Sequence, residues 1–221
     1  MQQRGNAAYG PSLLGKNLGV DRSLANRLRD ATVAHHASVE RTLPFATLGH
    51  TLPAYRRVLG AFLGFYEPLE GRLQYVATSS GDIDLMGREK VSLLRGDMRM
   101  LGASEEALAA LPRCPAMPLI DGVPRALGCM YVLEGATLGG QIIARHLKAQ
   151  LGIDERSGGS FFFAYGAETG TMWRAFVARL NRQPSPHDST LAAATETFER
   201  LEAWLVAQGA PTWIAERDPI P

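Results

Sequence analysis

A histidine and a glutamate stand four residues apart in the segment 28–40, and the histidine could ligate a metal while the glutamate orients its ring. On a helix, His36 and Glu40 would share one face. The carboxylate can accept a hydrogen bond from one imidazole nitrogen and leave the other nitrogen free for iron. Arg29 lies two turns earlier, about 10 Å along the axis, which suits a haem whose iron binds His36 and whose propionate contacts Arg29. A partly exposed pair, His35 and His36, on an ordinary surface helix would give the same pattern.

Three glycines fall within six residues of a long helical pattern. Because each glycine inside a helix costs about 1 kcal/mol relative to alanine, their presence there needs a reason. Gly135 and Gly139 share a face, with Gly140 beside them. Such a face lets a flat ligand approach the backbone, lets the helix bend, and leaves room for O2 and ordered water over a haem iron. Close packing of two helices, or a helix end, would also explain these glycines.

Apolar residues recur at helical spacing along most of the chain, and the strict alternation of half-buried strands is absent. The spacing predicts a first helix that begins at Ser23, with Asp21 or Ser23 as its N-cap. Further helices are predicted over 52–75, 87–101, 104–111, 123–151, 167–181 and 189–208. Pro68 is expected to bend or divide the second helix near Glu67. The aromatic segment 161–163 is expected to pack on the core. The fold class is therefore all-α.

Length and composition predict one domain: a flexible arm over 1–21, a helical domain over 22–208 and an irregular tail over 209–221. The net charge of +1, from 23 basic and 22 acidic side chains, argues against a nucleic-acid binder. Glu89, Arg95 and the other mid-chain charges are expected to form solvated faces. The two cysteines form no CxxC pair, which excludes zinc, iron–sulfur and covalent haem sites of that kind. With no secretory signal and no apolar run of about 20 residues, the chain is predicted to be cytoplasmic.

The two motifs, in this order and at this separation, resemble the heme oxygenase family. In that family the first helix carries the iron ligand in a pattern similar to residues 28–32 followed by His36 and Glu40, and the distal helix is rich in glycine, like residues 135–141. The likeness extends in outline over about residues 23–206. It includes 88–102, the aromatic segment 161–163 and the last helix around Phe198, Leu201 and Trp204. Residues 134–140 are most similar to bacterial enzymes that supply biliverdin to bacteriophytochromes.

This resemblance implies a single-domain heme oxygenase-like helical bundle, with haem held between a proximal helix and a glycine-rich distal helix. His36 would be the proximal iron ligand, Glu40 its hydrogen-bond partner and Arg29 a propionate contact. The catalytic backbone on the distal side would be that of three glycines: Gly135, Gly139 and Gly140. Gly135 and Gly139 would also contact the haem.

Two positions depart from the animal members of the family. Those members carry a distal aspartate that holds water near bound O2, where this chain has Ala136. Ordered water held by backbone carbonyls or other polar groups would have to replace it. They also offer a propionate an arginine at a position that matches Val177 here, so Arg174 or Arg179 would have to substitute.

The implied reaction uses heme b as both cofactor and substrate. O2 and electrons from a ferredoxin or a reductase would convert it to biliverdin, CO and Fe2+, and a bacteriophytochrome would receive the bilin; no nucleic acid and no membrane insertion are expected. Two other functions stay open, a haem carrier or sensor without turnover and a haem-free interaction module on the same fold. A di-iron bundle is rejected because it needs paired Glu-x-x-His motifs, which the sequence lacks.

Overall fold

A computed structural model describes residues 23–43, 51–210 and 213, and within these ranges it contains helices and no strand. The α-helices are α1 Leu24–Thr42, α2 Leu52–Ser80, α3 Val91–Met100, α4 Glu105–Ala110, α5 Val123–Leu151, α6 Ser160–Phe163, α7 Thr169–Leu180 and α8 Asp188–Ala207, with a 3₁₀ turn at Gly166–Glu168. The all-α prediction is confirmed. The predicted arm and most of the predicted tail lie outside the described residues, so the domain limits stay a prediction.

Helix α1 begins where the sequence predicts a cap. The Ser23 hydroxyl accepts a hydrogen bond from the backbone N–H of Asn26 at 3.4 Å, which satisfies one of the free donors of the first turn. Asp21, the other predicted cap, lies outside the described residues. Leu24, Leu28 and Val39 are buried on one face, and α1 packs chiefly against α8. The adjoining side of α1, which shares Val39 with the buried face, lines a cavity.

Helix α2 runs through Pro68 without a break. The sequence predicted that Pro68 would either bend or divide the helix, and the structure excludes division. Proline has no N–H, which leaves the carbonyl of Gly64 without its helical donor. The backbone N–H of Cys114 supplies that bond at 2.9 Å. The approach is possible because Gly64 has no side chain: a Cβ there would lie 2.5 Å from the Pro112 carbonyl oxygen and 2.7 Å from the Trp204 ring.

Two predicted helix limits are wrong. Helix α2 extends to Ser80 instead of ending at residue 75, because the hydroxyls of Ser79 and Ser80 donate to the carbonyls of Tyr75 and Val76 and keep these polar residues in the last turn. Helix α3 begins at Val91 and not at residue 87. The residues before it form a loop that carries Arg88 and Lys90 into the interior.

Helix α5 is the centre of the bundle, in contact with α8, α6, α7 and α2. It packs closely on α8 at Gly128, where a Cβ would lie 2.2 Å from the carbonyl oxygen of Thr190. Contrary to the expectation from the sequence, α5 is long and apolar enough to cross a membrane by composition alone. However, 61% of its most apolar stretch is buried inside the protein, as in a core helix.

The short helix α6 is fixed by a buried carboxylate on α3. Asp97 accepts hydrogen bonds from the backbone N–H groups of Ser160 at 2.8 Å and Phe161 at 2.7 Å, and from the Ser160 hydroxyl at 2.7 Å. Burial raises the pKa of Asp97, while these three bonds oppose the shift by favouring the ionised form. Phe161 and Phe162 are buried, which confirms that this segment packs on the core.

Candidate functional site

A cavity of about 460 Å³ lies between α1 and α5, within the size range of small-molecule sites. Helices α2, α6, α7 and α8 close it. Its walls are mainly apolar, and seven Phe, Tyr and Trp side chains contribute: Phe62, Tyr66, Tyr131, Phe161, Phe162, Trp173 and Phe198. Arg29, His36 and Glu40 from α1 line the same cavity as Gly135, Gly139 and Gly140 from α5. The fold therefore brings the two sequence motifs to one site.

On α1, His36 and Glu40 are arranged as the spacing predicts. The His36 Nδ1 atom lies 3.6 Å from Glu40 Oε2, and both side chains are 58% exposed. The imidazole also meets the ring of Phe198 edge to face, with centroids 5.9 Å apart. Because Glu40 faces Nδ1, the Nε2 atom is left for a ligand. Arg29, two turns earlier, is more exposed and lies 3.6 Å from the Asp30 carboxylate, so its guanidinium stands at the rim of the cavity.

The three glycines of α5 differ in what a side chain would meet. A Cβ on Gly140 would lie 2.8 Å from the carbonyl oxygen of Phe162, so close packing of α5 on α6 by itself requires glycine there. A Cβ on Gly135 would touch only the Trp173 ring, at 3.8 Å, and one on Gly139 would meet nothing within 4 Å among the described residues outside its own helix. Packing thus explains Gly140, whereas the bare backbone at Gly135 and Gly139 remains free for a flat ligand.

The two arginines expected to contact a propionate lie elsewhere. Arg174 donates a hydrogen bond to the Thr171 hydroxyl at 3.1 Å, and Arg179 donates to the carbonyl of Asp82 at 3.0 Å. Neither side chain is among the described residues that line the cavity. Their role stays a prediction that needs a change of side-chain conformation. Ala136 does line the cavity, so the distal position holds a methyl group and no carboxylate.

A charged cluster beside the cavity was missed by the sequence reasoning. Lys90 lines the cavity and is only 2% exposed, and Glu134, one residue before Gly135, is equally buried. Arg88 and Tyr165 complete the cluster. The expectation that mid-chain charges are solvated is therefore wrong for Lys90, and also for Arg95, which pairs with Glu67 at 2.5 Å in a partly buried position. The sequence did contain a signal for this cluster, because Glu134 ends the otherwise apolar segment 126–134 and would need a buried partner.

Planar haem fits these residues. One helix offers an imidazole nitrogen as an iron ligand, and the other offers backbone without side chains against which a ring can lie. The aromatic walls supply apolar contact area, and Arg29 at the rim supplies a cation for a propionate. Within the described residues there is no cluster of three or more His, Cys, Asp or Glu side chains able to hold a bare metal ion.

Comparisons with known proteins agree with this fit. The heme oxygenase family model matches residues 22–207. A heme oxygenase of Xanthomonas campestris pv. campestris (strain 8004) is 30% identical over 169 residues, which cover 75% of this chain and 92% of that protein.

Three solved structures share the fold. The NO- and CO-bound heme oxygenase of Neisseria meningitidis has a TM-score of 0.72 at 21% identity, over 84% of this chain and 92% of that one. Heme oxygenase of Leptospira interrogans has a TM-score of 0.68 at 20% identity, over 84% and 100%. Heme oxygenase 2 of Chlamydomonas reinhardtii without heme has a TM-score of 0.64 at 21% identity, over 84% and 97%. By its matched sequence and its fold, this chain belongs to the heme oxygenase family of haem-degrading oxidoreductases.

Proposed function

We propose that this protein cleaves haem with O2 and reducing equivalents to biliverdin, CO and Fe2+, and that His36 binds the iron. The observation that carries the proposal is the shared cavity, in which a histidine from α1 and bare glycine backbone from α5 line the same space. Heme b, when bound, is both the substrate and the redox group that activates O2.

The residues of the chain bind and orient the haem. His36 Nε2 would bind the iron. Glu40 Oε2 lies 3.6 Å from His36 Nδ1, and a slightly closer approach would let it accept from Nδ1–H and so fix the tautomer and the ring orientation. Gly135 and Gly139 allow the ring to lie against α5, and Arg29 pairs with a propionate at the rim. The aromatic walls would cover the apolar faces of the haem ring.

The partners follow from the proposed chemistry and from the sequence resemblance. We expect the electrons to come from a ferredoxin or a reductase. The similarity of residues 134–140 to bacterial enzymes that serve bacteriophytochromes supports a bacteriophytochrome as recipient of the bilin. The two cysteines, Cys114 and Cys129, are free and buried, which agrees with a reducing compartment and supports a cytoplasmic location.

Haemin titration tests the proposal, with His36→Ala compared against His35→Ala. His35 neighbours His36 on α1 but does not line the cavity. We expect one-to-one binding with a Soret band in the wild type and in His35→Ala, and an altered Soret band in His36→Ala because the axial nitrogen is lost. Ascorbate, or ferredoxin with its reductase, added in air should then replace the Soret band by the absorption of biliverdin.

Two outcomes would contradict the proposal. A Soret band that survives reductant and O2 would identify a haem carrier or sensor, a function favoured by the methyl group of Ala136 at the distal position. A wild-type protein that forms no Soret complex would indicate a haem-free interaction module.

A further inference from the structure

A lysine with almost no solvent exposure forms part of the wall of the haem cavity. Lys90 is 2% exposed, a rare position for an ammonium group unless it is paired. Two of its N–H donors are engaged at short distance, by the carbonyl of Arg88 at 2.6 Å and by the hydroxyl of Tyr165 at 2.7 Å. The third faces Glu134 Oε1 at 3.5 Å, which is longer than an ordinary hydrogen bond. This contact is the longest of the three, so it is the donor that an acceptor in the haem cavity would most easily take over.

The lysine belongs to a continuous chain of hydrogen bonds. The Tyr165 hydroxyl accepts from Lys90 and donates to Glu134 Oε1 at 2.7 Å. The other oxygen of Glu134 accepts from Arg88 at 2.5 Å. The titratable and charged groups around Lys90 come from every element packed against it: Tyr66 and Glu70 on α2, Arg88 in its own loop, Glu134 on α5 and Tyr165 after α6.

The two ends of this chain open into different cavities. Lys90 lines the haem cavity, whereas Glu134 and Arg88 line a second cavity of about 260 Å³. The exposed residues Gln74 and Glu89 also line that second cavity, so it reaches the protein surface. The chain thus connects the haem cavity to a cavity that reaches the protein surface.

We infer that Glu134, Tyr165 and Lys90 form a proton-transfer chain that delivers protons from the second cavity to the oxygen chemistry in the haem cavity. The inference rests on the proposed function, because the reduction of O2 consumes protons as well as electrons. Lys90 Nζ gives one proton to a basic oxygen in the cavity, Tyr165 passes its proton to Nζ, and a proton from water in the second cavity moves through the Glu134 carboxylate to Tyr165, which leaves hydroxide to the bulk solvent. Each group ends as it began, and no electron moves through the chain.

Two features fit Lys90 for this task. Burial lowers the pKa of Lys90, against the opposing effect of Glu134 and Glu70, so its ammonium group is a better proton donor than that of an exposed lysine. Ala136 leaves the distal helix without an acid at the position where the animal members of the family carry one, and Lys90 lines the same cavity. A proton donor from α3's N-terminal loop thus takes the place of one from α5.

Three single variants distinguish proton transfer along the chain from an effect of the positive charge of Lys90 alone. Tyr165→Phe breaks the chain but retains the charge of Lys90, Lys90→Met removes both, and Tyr55→Phe is the control. Tyr55 is a buried tyrosine whose hydroxyl donates to the carbonyl of Gly158 at 2.8 Å, and it does not line the haem cavity. Unfolding temperatures of the apoproteins establish that Tyr165→Phe folds as well as Tyr55→Phe.

The affinity of the ferric haem complex for fluoride reports, without turnover, whether Lys90 donates a hydrogen bond to a ligand in the haem cavity. We expect affinity about tenfold weaker in Lys90→Met, as for the loss of one charge-assisted hydrogen bond, and unchanged in Tyr165→Phe and Tyr55→Phe. In single-turnover experiments with ascorbate, haem loss should slow by about 100-fold in both Tyr165→Phe and Lys90→Met, the lower range for a positioned acid–base group. In these two variants bulk acid has to supply the proton, so the rate should rise by about tenfold for each pH unit lowered.

The results distinguish failure of the chain from failure of the proposed function. If the wild type turns haem over and Tyr165→Phe matches Tyr55→Phe in rate and pH profile, the chain is refuted and the oxygenase stands. The chain is also refuted, and the oxygenase stands, if Lys90→Met binds fluoride as tightly as the wild type. If the wild type binds no haem, or binds it without turnover, both are refuted. Should Lys90→Met fail to fold, the rate and pH profile of Tyr165→Phe decide.

Discussion

Alanine substitutions at the adjacent glycines Gly139 and Gly140 distinguish a glycine needed for ligand approach from one needed for helix packing. At Gly139 a Cβ would meet nothing within 4 Å among the described residues outside its own helix. Alanine is preferred to glycine inside a helix by about 1 kcal/mol. We therefore expect Gly139→Ala to raise the free energy of unfolding of the apoprotein by about 1 kcal/mol, equivalent to a rise of roughly 2–4 °C in the unfolding temperature for a chain of this size.

Gly140→Ala should have the opposite effect on stability. Its Cβ would lie 2.8 Å from the carbonyl oxygen of Phe162, which is backbone in a helix held by Asp97 and by the bond from Gln141 Nε2 to the Phe163 carbonyl at 2.9 Å. Because α6 cannot move aside without breaking these bonds, the overpacking costs about 1–3 kcal/mol. This exceeds the gain in helix propensity, so the apoprotein should lose stability.

The effect of Gly139→Ala on haem affinity should be opposite to its effect on the free energy of unfolding. In Gly139→Ala the new methyl group occupies space that the flat ligand needs, and a steric cost of about 1–3 kcal/mol corresponds to roughly 5- to 150-fold weaker binding. Urea unfolding of the apoproteins and haemin titration measure the two effects separately. Wild-type haem affinity in a Gly139→Ala protein of raised stability would refute the ligand-facing role of Gly139, and a stabilised Gly140→Ala protein would refute the packing argument.

Three further predictions concern stability. Gly64→Ala should destabilise the protein by about 1–3 kcal/mol through overpacking, because its Cβ would lie 2.5 Å from the Pro112 carbonyl oxygen; Gly71→Ala on the same helix, with open space around it, should be neutral or stabilising in urea unfolding. Asp97→Ala should cost about 3 kcal/mol or more, since two backbone N–H groups of α6 lose a charged acceptor, and haem affinity should fall with it, whereas Glu105→Ala in an exposed ion pair should change neither. Burial holds the pKa of Lys90 in the folded protein below its ordinary value of 10.5. Between the folded-state pKa and 10.5 the unfolded chain binds more protons, so the free energy of unfolding of the wild type relative to Lys90→Met should rise as the pH is raised toward 10.5. A flat or falling difference in urea unfolding at several pH values would contradict the shift.

Local spacing determined much of this protein. The helical period predicted an all-α fold, the interval between His36 and Glu40 placed both on one helix face, and the glycines of α5 indicated a face without side chains. These features depend on neighbours three or four residues away, whose relation is fixed by helix geometry. The cap at Ser23 was predictable for the same reason.

Contacts between segments distant in the sequence decided the rest. The carbonyl freed by Pro68 is satisfied by Cys114, so α2 continues where local rules allow division. Gly140 and Gly139 look alike in the sequence, yet among the described residues a Cβ would meet another helix at Gly140 and nothing at Gly139. Lys90 is buried because Glu134, 44 residues away, offsets its charge and Tyr165, 75 residues away, accepts one of its N–H groups. Single-residue polarity predicts exposure for such a group, since the free energy of burying a charge depends on partners that only the folded chain brings together.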